Sequence, residues 1–279
     1  MKKFALIGFD EKTSIHLFIE KIKKLSEKLN FKCDYFIYSK KDFNLYDKLY
    51  DNQIINCYDA AISIGGDGTF LYTSRIFAGT DIPVFGVNLS NLGFNTRIEI
   101  DEIEQYILNF LEDRIEYEYR DILEVSIGDS NETYCVINDG VISHTGISRM
   151  IRLKVSLNDD PVYNFNGDGI IISTSIGSTA YNLSAGGPIL HPSVKAIAMS
   201  PICAHTLAIR PYIIPINEII TIEVLQSSAQ PQITLDGQKT IILTPGEKIF
   251  FKNSHKKIKI IKTVKSFSEI LKDKLGWNI

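Results

Sequence analysis

The stretch Ile62-Ser63-Ile64-Gly65-Gly66-Asp67-Gly68-Thr69 joins a short apolar run to a turn of glycines. Residues 60–64 are apolar enough for a buried strand, and residues 69–78 have helical spacing. A glycine turn between a buried strand and a helix is typical of open α/β sheets, whose ligands bind at the carboxyl ends of the strands. The stretch therefore predicts both a fold class and the place of a ligand.

The same alternation of strand and helix extends to both sides of this stretch. Further strands are predicted at 4–7, 33–38 and 84–88, with helices at 15–29 and 102–112. Such a β-α-β rhythm indicates an α/β domain with a doubly wound, mostly parallel sheet.

The rhythm changes after residue 116. Short β-rich runs separated by Asn, Asp and Gly fill residues 116–173, and a second β-rich block covers residues 219–261, including separate strands at 248–251 and 257–261. Frequent turns between short strands indicate an antiparallel, sandwich-like domain. We expect an α/β domain over residues 1–110, a β-rich domain over 111–264, and a helical tail at 265–279 that packs back on the first domain.

Composition narrows the class of protein. The chain has 279 residues, long for one core, and a net charge of −3, which gives no reason to expect nucleic acid or an anionic membrane as a partner. Its four cysteines are scattered, as in proteins of a reducing compartment, and no His or Cys pair has zinc-ligand spacing. With no signal-peptide pattern and no apolar run of about 20 residues, we expect a cytoplasmic protein.

The glycine turn carries the clearest chemical signal. Glycines allow the backbone to approach phosphate closely, and the exposed N–H groups bind anions. A carboxylate among phosphates, here Asp67, binds the Mg²⁺ of a nucleotide or accepts a proton from an attacking hydroxyl. The pattern is neither a Walker A loop nor a GxGxxG fingerprint. The alternative is a structural turn with a helix-capping aspartate.

A second signal lies in residues 165–169, Phe-Asn-Gly-Asp-Gly, and the segment 173–188. Nine of the sixteen residues of that segment are Gly, Ser or Thr. We expect it to follow a ligand closely, with Ser178 or Thr179 capping a short helix at 180–184 and Asp168 binding ribose hydroxyls. The alternative is a flexible polar loop.

Two Asp-Gly pairs are ambiguous. The pairs in Asn138-Asp139-Gly140 and Asp236-Gly237-Gln238 favour hairpins, because Asp-Gly suits a type I′ turn. The alternative places the amide and carboxylate of the first pair against a ribose or an amide-bearing ring.

Taken together, these motifs resemble the NAD kinase family, ATP-dependent enzymes that phosphorylate NAD to NADP. The motifs that carry the resemblance, in the family's order, are residues 65–68, Asn-Leu-x-x-Leu-Gly-Phe at 88–94, Asn138-Asp139, and 167–169 with 173–188. A lone Gly-Gly-Asp-Gly would also fit diacylglycerol-type lipid kinases and phosphofructokinases. Residues 177–188 distinguish the NAD kinases.

The resemblance implies that Asp67 is the base that takes a proton from the 2′-hydroxyl of the adenosine ribose of NAD. It further implies ATP as donor with a divalent cation, Mg²⁺, held by no protein cage of its own, and a homo-oligomer, dimer or tetramer. The other residues expected to bind substrate are Gly65, Gly66, Gly68, Thr69, Asn138, Asp139, Arg149, Asn166, Asp168, Thr179, Ala180, Tyr181, Asn182, Leu183, Ser184 and Gln238.

The chain departs from the family pattern at two places. Ile176 stands where the family usually has Thr, and Asp139 where Glu is more frequent. The alternatives to an NAD kinase are a lipid kinase sharing the glycine loop, a sugar-phosphate kinase, and a dinucleotide sensor without catalysis.

Overall fold

The computed structural model describes residues 1–9, 13–39, 55–89, 93–146 and 150–277. The chain divides into two compact units, Met1–Arg120 with Lys256–Ile279, and Asp121–His255. The chain passes between the units within two strands, Tyr117–Ile127 and Lys248–Ile261, and not along a linker. The sequence had placed the boundaries at 110 and 265, where apolar periodicity changes.

The first unit has the predicted alternation of strands and helices. Its elements are β1 (Lys3–Phe9), α1 (Thr13–Leu29), β2 (Lys32–Tyr38), β3 (Ala60–Gly65), α2 (Asp67–Ile76), β4 (Val84–Asn88) and α3 (Ile103–Leu111). Strands β2, β1, β3 and β4 form a parallel sheet in that order. The predicted fold class of this part is confirmed.

Helices cover both faces of this sheet. Phe85 and Val87 of β4 lie in a core with apolar residues of α1 and α3. Gly86 points to the other face, since side chains alternate along a strand, and there it lies against Phe70 of α2. The sheet is therefore doubly wound, and α2 with its glycine turn packs on the face opposite α1 and α3.

The second unit is built from antiparallel strands. Between β5 (Tyr117–Ile127) and β16 (Lys248–Ile261) the chain forms β6 (Thr133–Val136), β7 (Asp139–His144), β8 (Ile151–Leu157), β9 (Asp160–Gly167), β10 (Gly169–Ser173), a 3₁₀ turn (Gly177–Thr179), α4 (Tyr181–Ser184), β11 (Ala196–Ile202), β12 (Tyr212–Pro215), β13 (Ile220–Ser227), β14 (Pro231–Leu235) and β15 (Lys239–Ile242). The last helix, α5 (Phe267–Leu275), belongs to the first unit.

These strands form two sheets that share one core. One sheet contains β16, β13, β8 and β9, with β5 and β6 beside β16, and the other has the order β12-β11-β10-β7-β14-β15. Buried side chains from both sheets, such as Leu153 and Val224 from one and Ile142 and Ile233 from the other, pack in the same cluster. The predicted sandwich-like domain is confirmed.

Two expectations about local structure were wrong. Residues 248–261 form one strand, which continues through the polar residues 253–255. The buried positions change there from odd-numbered to even-numbered residues, so the apolar pattern of the sequence looked like two separate strands. The 139–140 pair is no hairpin: β6 pairs with β5, whereas β7 pairs with β10 and β14. Asp139 therefore lies where the chain crosses from one sheet to the other.

Among the described residues, no helix has the length and apolarity needed to cross a membrane.

Candidate active site

The glycine turn leaves the start of α2 open. Asp67 is the first residue of α2, and Gly66, in an extended conformation, precedes the helix without a side-chain cap. A Cβ added at Gly66 or Gly68 would meet no described atom within 4 Å. Space for a ligand therefore lies beside the first N–H groups of the helix, where the helix dipole favours an anion.

The carboxylate of Asp67 is held by one short turn that follows β4. The backbone N–H groups of Phe94 (2.9 Å), Asn95 (2.9 Å) and Thr96 (3.1 Å) donate to it, and the Thr96 hydroxyl lies at 3.3 Å. A Cβ at Gly93 would lie 2.3 Å from Asp67 Oδ1, so only glycine fits there. Asp67 is thus oriented by the end of the Asn-Leu-x-x-Leu-Gly-Phe motif and the two residues after it. Residues 90–92 of this motif lie outside the described residues.

A buried arginine lies behind this turn. Arg97 is 8% exposed, and its Nε donates to the carbonyl of Phe94 at 2.8 Å. Burial lowers the pKa of Arg97, and the positive charge of Arg120 lowers it further, whereas the carboxylates of Glu118 and Asp67 raise it. Arg120 is itself buried and paired with Glu118. The electrostatic surroundings of Asp67 thus include a positive charge at short range.

The second unit contains a cavity of about 390 Å³. It opens on the outer face of the second sheet, since Val141 and Ser143 alternate with the core residue Ile142. The remaining lining residues are Asn138, Asp139, Ala180, Tyr181, Thr234, Asp236 and Gly237. A cavity of this size holds part of a dinucleotide.

One wall of the cavity is fixed by Asp236. Its carboxylate accepts hydrogen bonds from the N–H groups of Ile137 (3.1 Å), Asn138 (2.7 Å) and Asp139 (3.2 Å). Asp236 and Gly237 both have positive φ, 50° and 66°, as in a type I′ turn. The predicted hairpin at 236–238 is confirmed, and its aspartate also holds the crossing between the two sheets.

Asp139 is the second carboxylate of this cavity. It is 4% exposed, and burial raises its pKa to about 7, with the negative charge of Asp236 adding to the rise. Beside it, Oδ1 of Asn138 is buried and has no hydrogen-bond partner among the described residues. A protonated or readily protonated acid and an unused amide oxygen therefore lie together at the cavity wall.

Most of the hydroxyl groups in segment 173–188 form hydrogen bonds within the protein. Thr174 Oγ1 donates to Ile137 O at 2.6 Å and accepts from Gly177 N–H, and Ser178 Oγ accepts from Leu190 N–H at 3.0 Å. The predicted capping of a helix by Ser178 or Thr179 is wrong. Residue Ala180 precedes α4 without a side-chain cap, and α4 has only four residues. The segment is an ordered support and not a flexible loop.

The side chain of Asn182 also forms its hydrogen bonds within the protein. Its Nδ2 donates to Ser178 O (3.1 Å) and Pro188 O (3.0 Å), and its Oδ1 accepts from the Ser200 hydroxyl at 2.7 Å. Asn182 is fully buried, so it fastens the segment to β11 and does not line the cavity. Its neighbours Ala180 and Tyr181 do line it.

The other predicted binding residues have more scattered positions. Asn166 and Asp168 lie where β9 passes into β10, and the buried Oδ1 of Asn166 has no hydrogen-bond partner in the described part of the chain. Asp168 accepts from the exposed Cys203 thiol and so raises the pKa of that thiol. Thr179, Leu183, Ser184 and Gln238 are not among the cavity-lining residues. Arg149 lies outside the described residues.

Five cavity-lining residues were missed from the sequence: Val141, Ser143, Thr234, Asp236 and Gly237. Asp236 was interpreted only as part of a turn. Strand alternation could have indicated Val141 and Ser143, but the position of β7 in the sheet depends on partners far along the chain. No group of three or more His, Cys, Asp or Glu side chains in the described part of the chain could hold a metal ion.

Comparison with known proteins defines the class. The profile of the ATP-NAD kinase N-terminal domain matches residues 12–115, and that of the ATP-NAD kinase C-terminal domain matches residues 137–263. The chain is 35% identical over 281 residues to an NAD kinase of Aquifex aeolicus, covering 99% of this chain and 100% of the relative. It is 37% identical over 234 residues to an NAD kinase of Trichlorobacter lovleyi, covering 82% of each.

Solved structures agree on the fold. A yeast NADH kinase complexed with NADH superimposes with a TM-score of 0.82 at 23% identity, covering 100% of this chain and 88% of that one. An NAD kinase from Archaeoglobus fulgidus in complex with ATP gives 0.77 at 22% identity, covering 98% and 97%. The family models and the curated relatives identify the chain as a phosphotransferase. The chain belongs to the NAD kinase family.

Proposed function

We propose that this protein transfers the γ-phosphate of ATP to the 2′-hydroxyl of the adenosine ribose of NAD, giving NADP. The observation that carries the proposal is the carboxylate of Asp67, fixed by the 94–96 turn beside an open helix N-terminus. Family membership identifies the acceptor, and the glycine turn supports a phosphate-bearing donor.

The proposed chemistry follows from the hydrogen bonds that the carboxylate of Asp67 can still accept. Oδ2 of Asp67 accepts one hydrogen bond from the described residues, from Phe94 N–H, and so has room for a ribose hydroxyl. In the reaction the hydroxyl oxygen bonds to the γ-phosphorus, the bond from phosphorus to the β-γ bridging oxygen breaks, and ADP leaves. The hydroxyl proton passes to Asp67, and the N–H groups of α2 stabilise charge on the phosphoryl oxygens.

The cavity of the second unit supports binding of the dinucleotide. Asn138 Oδ1 and the carboxyl of Asp139 offer acceptors or a donor to ribose hydroxyls or an amide, and Tyr181 offers an apolar surface. Asn166 and Asp168 provide further polar groups at the start of β10. The ordered 173–188 segment keeps Ala180 and Tyr181 in place, so its role in binding is largely indirect.

Three further parts of the proposal complete this function. The divalent cation, Mg²⁺, arrives on the triphosphate of ATP. The protein is a homo-oligomer, dimer or tetramer, and it acts in the cytoplasm. Light scattering of the purified protein measures the oligomer size.

A coupled assay tests the function. Purified protein with NAD, ATP and Mg²⁺ is expected to form NADP, read with an NADP-specific dehydrogenase. Asp67→Asn is expected to fold and bind NAD but to lose about 10²–10⁴-fold in turnover, the usual contribution of a general base. Asp81→Asn, an exposed aspartate of the same unit, serves as the matched control.

The alternatives predict different results. Undiminished turnover in Asp67→Asn would contradict the role of Asp67. NAD binding without NADP formation from any phosphate donor would indicate a sensor, and phosphorylation of diacylglycerol in vesicles without NADP formation would indicate a lipid kinase.

A further inference from the structure

One peptide group lies between a buried positive charge and the carboxylate of Asp67. The carbonyl of Phe94 and the N–H of Asn95 belong to the same planar peptide unit. Arg97 Nε donates to that carbonyl at 2.8 Å, and the N–H donates to Asp67 Oδ1 at 2.9 Å. The three groups form a continuous chain from guanidinium to carboxylate, in which each hydrogen bond polarises the next.

Other contacts fix the two ends of this turn but not its middle. Gly93 N–H donates to Thr96 O at 3.1 Å, and Ile98 is anchored to β4 through Ile98 N–H to Gly86 O and Asn88 N–H to Ile98 O. The carbonyl of the middle peptide is held by Arg97. Without that bond the 94–95 peptide could rotate, and rotation would turn the Asn95 N–H away from Asp67.

The burial of Arg97 makes packing an insufficient explanation. An arginine that is 8% exposed and close to the buried Arg120 is costly to place there, because two positive charges are desolvated together. A neutral side chain could fill the same volume without that cost. The Nε–H group of Arg97 is used where it lies, on the peptide that orients Asp67.

We propose that Arg97 is a positioning residue for the phosphoryl transfer, holding the 94–95 peptide so that the carboxylate of Asp67 keeps its orientation toward the acceptor hydroxyl. This inference rests on the proposed function. Arg97 touches neither substrate; it acts through the peptide and through Asp67. Its removal should therefore lower turnover far more than substrate affinity.

Three variants test this role: Arg97→Gln, Arg97→Lys and Arg120→Gln. Both glutamine variants lose a buried guanidinium of the same cluster, but only Arg97→Gln loses the bond to Phe94 O. Arg97→Gln is expected to lower kcat at least about tenfold with KM for NAD within about twofold, and Arg97→Lys to restore part of kcat. Arg120→Gln is expected to lose stability with kcat nearly unchanged.

Hydrogen exchange provides a readout that does not depend on activity. The amides of residues 94–96 are expected to exchange at least about tenfold faster in Arg97→Gln than in the parent or in Arg120→Gln, because the turn opens locally. Equal changes of kcat and exchange in both glutamine variants, or an unchanged kcat in Arg97→Gln, would overturn the inference.

The failure of the proposed function would look different. A parent protein that forms no NADP contradicts the kinase assignment and with it any role of Arg97 in turnover, whatever the exchange rates are. An active parent with a fully active Arg97→Gln variant contradicts the role of Arg97 alone.

Discussion

Asp67 in the first unit and Asp236 in the second bind their surroundings in the same way. Each carboxylate accepts hydrogen bonds from three consecutive backbone N–H groups, those of residues 94–96 and those of residues 137–139. Their neighbours differ in charge. Asp67 has the guanidinium of Arg97 nearby, whereas Asp236 has the buried carboxyl of Asp139.

The difference between the two sites distinguishes a carboxylate that only holds a loop from one that can also take part in a reaction. Three amides are sufficient to fix a carboxylate, and both sites have them. Burial and the negative charge of Asp236 raise the pKa of Asp139. Asp67 instead lies at the open start of α2, and its Oδ2 accepts one hydrogen bond from the described residues. Asp236 is therefore a structural clamp with a titrating partner, and Asp67 is suited to act as a base.

The largest expected effect comes from removing the clamp. Asp236→Asn leaves one oxygen for three N–H groups, two of them buried, and should lower the free energy of unfolding by about 3–5 kcal/mol. Chemical denaturation measures this loss, and Asp129→Asn, an exposed aspartate of the same unit, is the control. Equal stability of the two variants would show that the amides at 137–139 do not need the charge.

The next effect is a pH dependence of stability caused by Asp139, the carboxyl beside Asp236. The pKa of Asp139 is raised from 3.8 to about 7, so between those values its carboxyl is protonated in the folded protein and ionised in the unfolded chain. The folded state then binds more protons, and stability falls as pH rises through about 4 to 7. Asp139→Asn should remove this slope.

Denaturation at pH 5 and pH 8 tests the sign. The stability of Asp139→Asn relative to the parent should increase by roughly 2–4 kcal/mol from the lower to the higher pH. A constant difference would mean that Asp139 titrates alike in the folded and unfolded states.

The smallest expected effect distinguishes the open glycine turn from the clamp. Gly68 lies in α2, and a Cβ there meets no described atom within 4 Å, so Gly68→Ala should raise stability by up to about 1 kcal/mol through helix propensity. The same methyl group occupies the space proposed for phosphate and should reduce NADP formation at least about tenfold, or about 1.4 kcal/mol. Full activity in the stabilised variant would place the phosphates elsewhere.

The sequence was sufficient to predict those strands and helices whose pattern lies in one continuous stretch of the chain. The apolar run at 60–64, the glycines after it and the helical spacing beyond them are consecutive in the chain, and the structure has β3 and α2 there. Strands β8 and β10 lie within the predicted β-rich region of residues 116–173, and both have continuous apolar patterns.

Features that depend on distant partners could not be predicted. Asp236 holds amides 97 to 99 residues away, and no local pattern shows that its turn lies beside Asp139. Strand β9 has a polar sequence and a proline, and it is formed by pairing with β8. In the 173–188 segment, a count of hydroxyls could not distinguish donors available to a ligand from those that bond within the protein.

The passage of the chain through two strands has a consequence for biosynthesis. The second unit is continuous, residues 121–255, whereas the first needs residues 256–279, among them Lys262, Val264 and Lys265, which bond to Glu116, Tyr106 and Glu99. On the ribosome, the residues synthesised first cannot complete their unit until the last have emerged. The β-rich unit can finish folding earlier, which reverses the usual order of N-terminal before C-terminal folding.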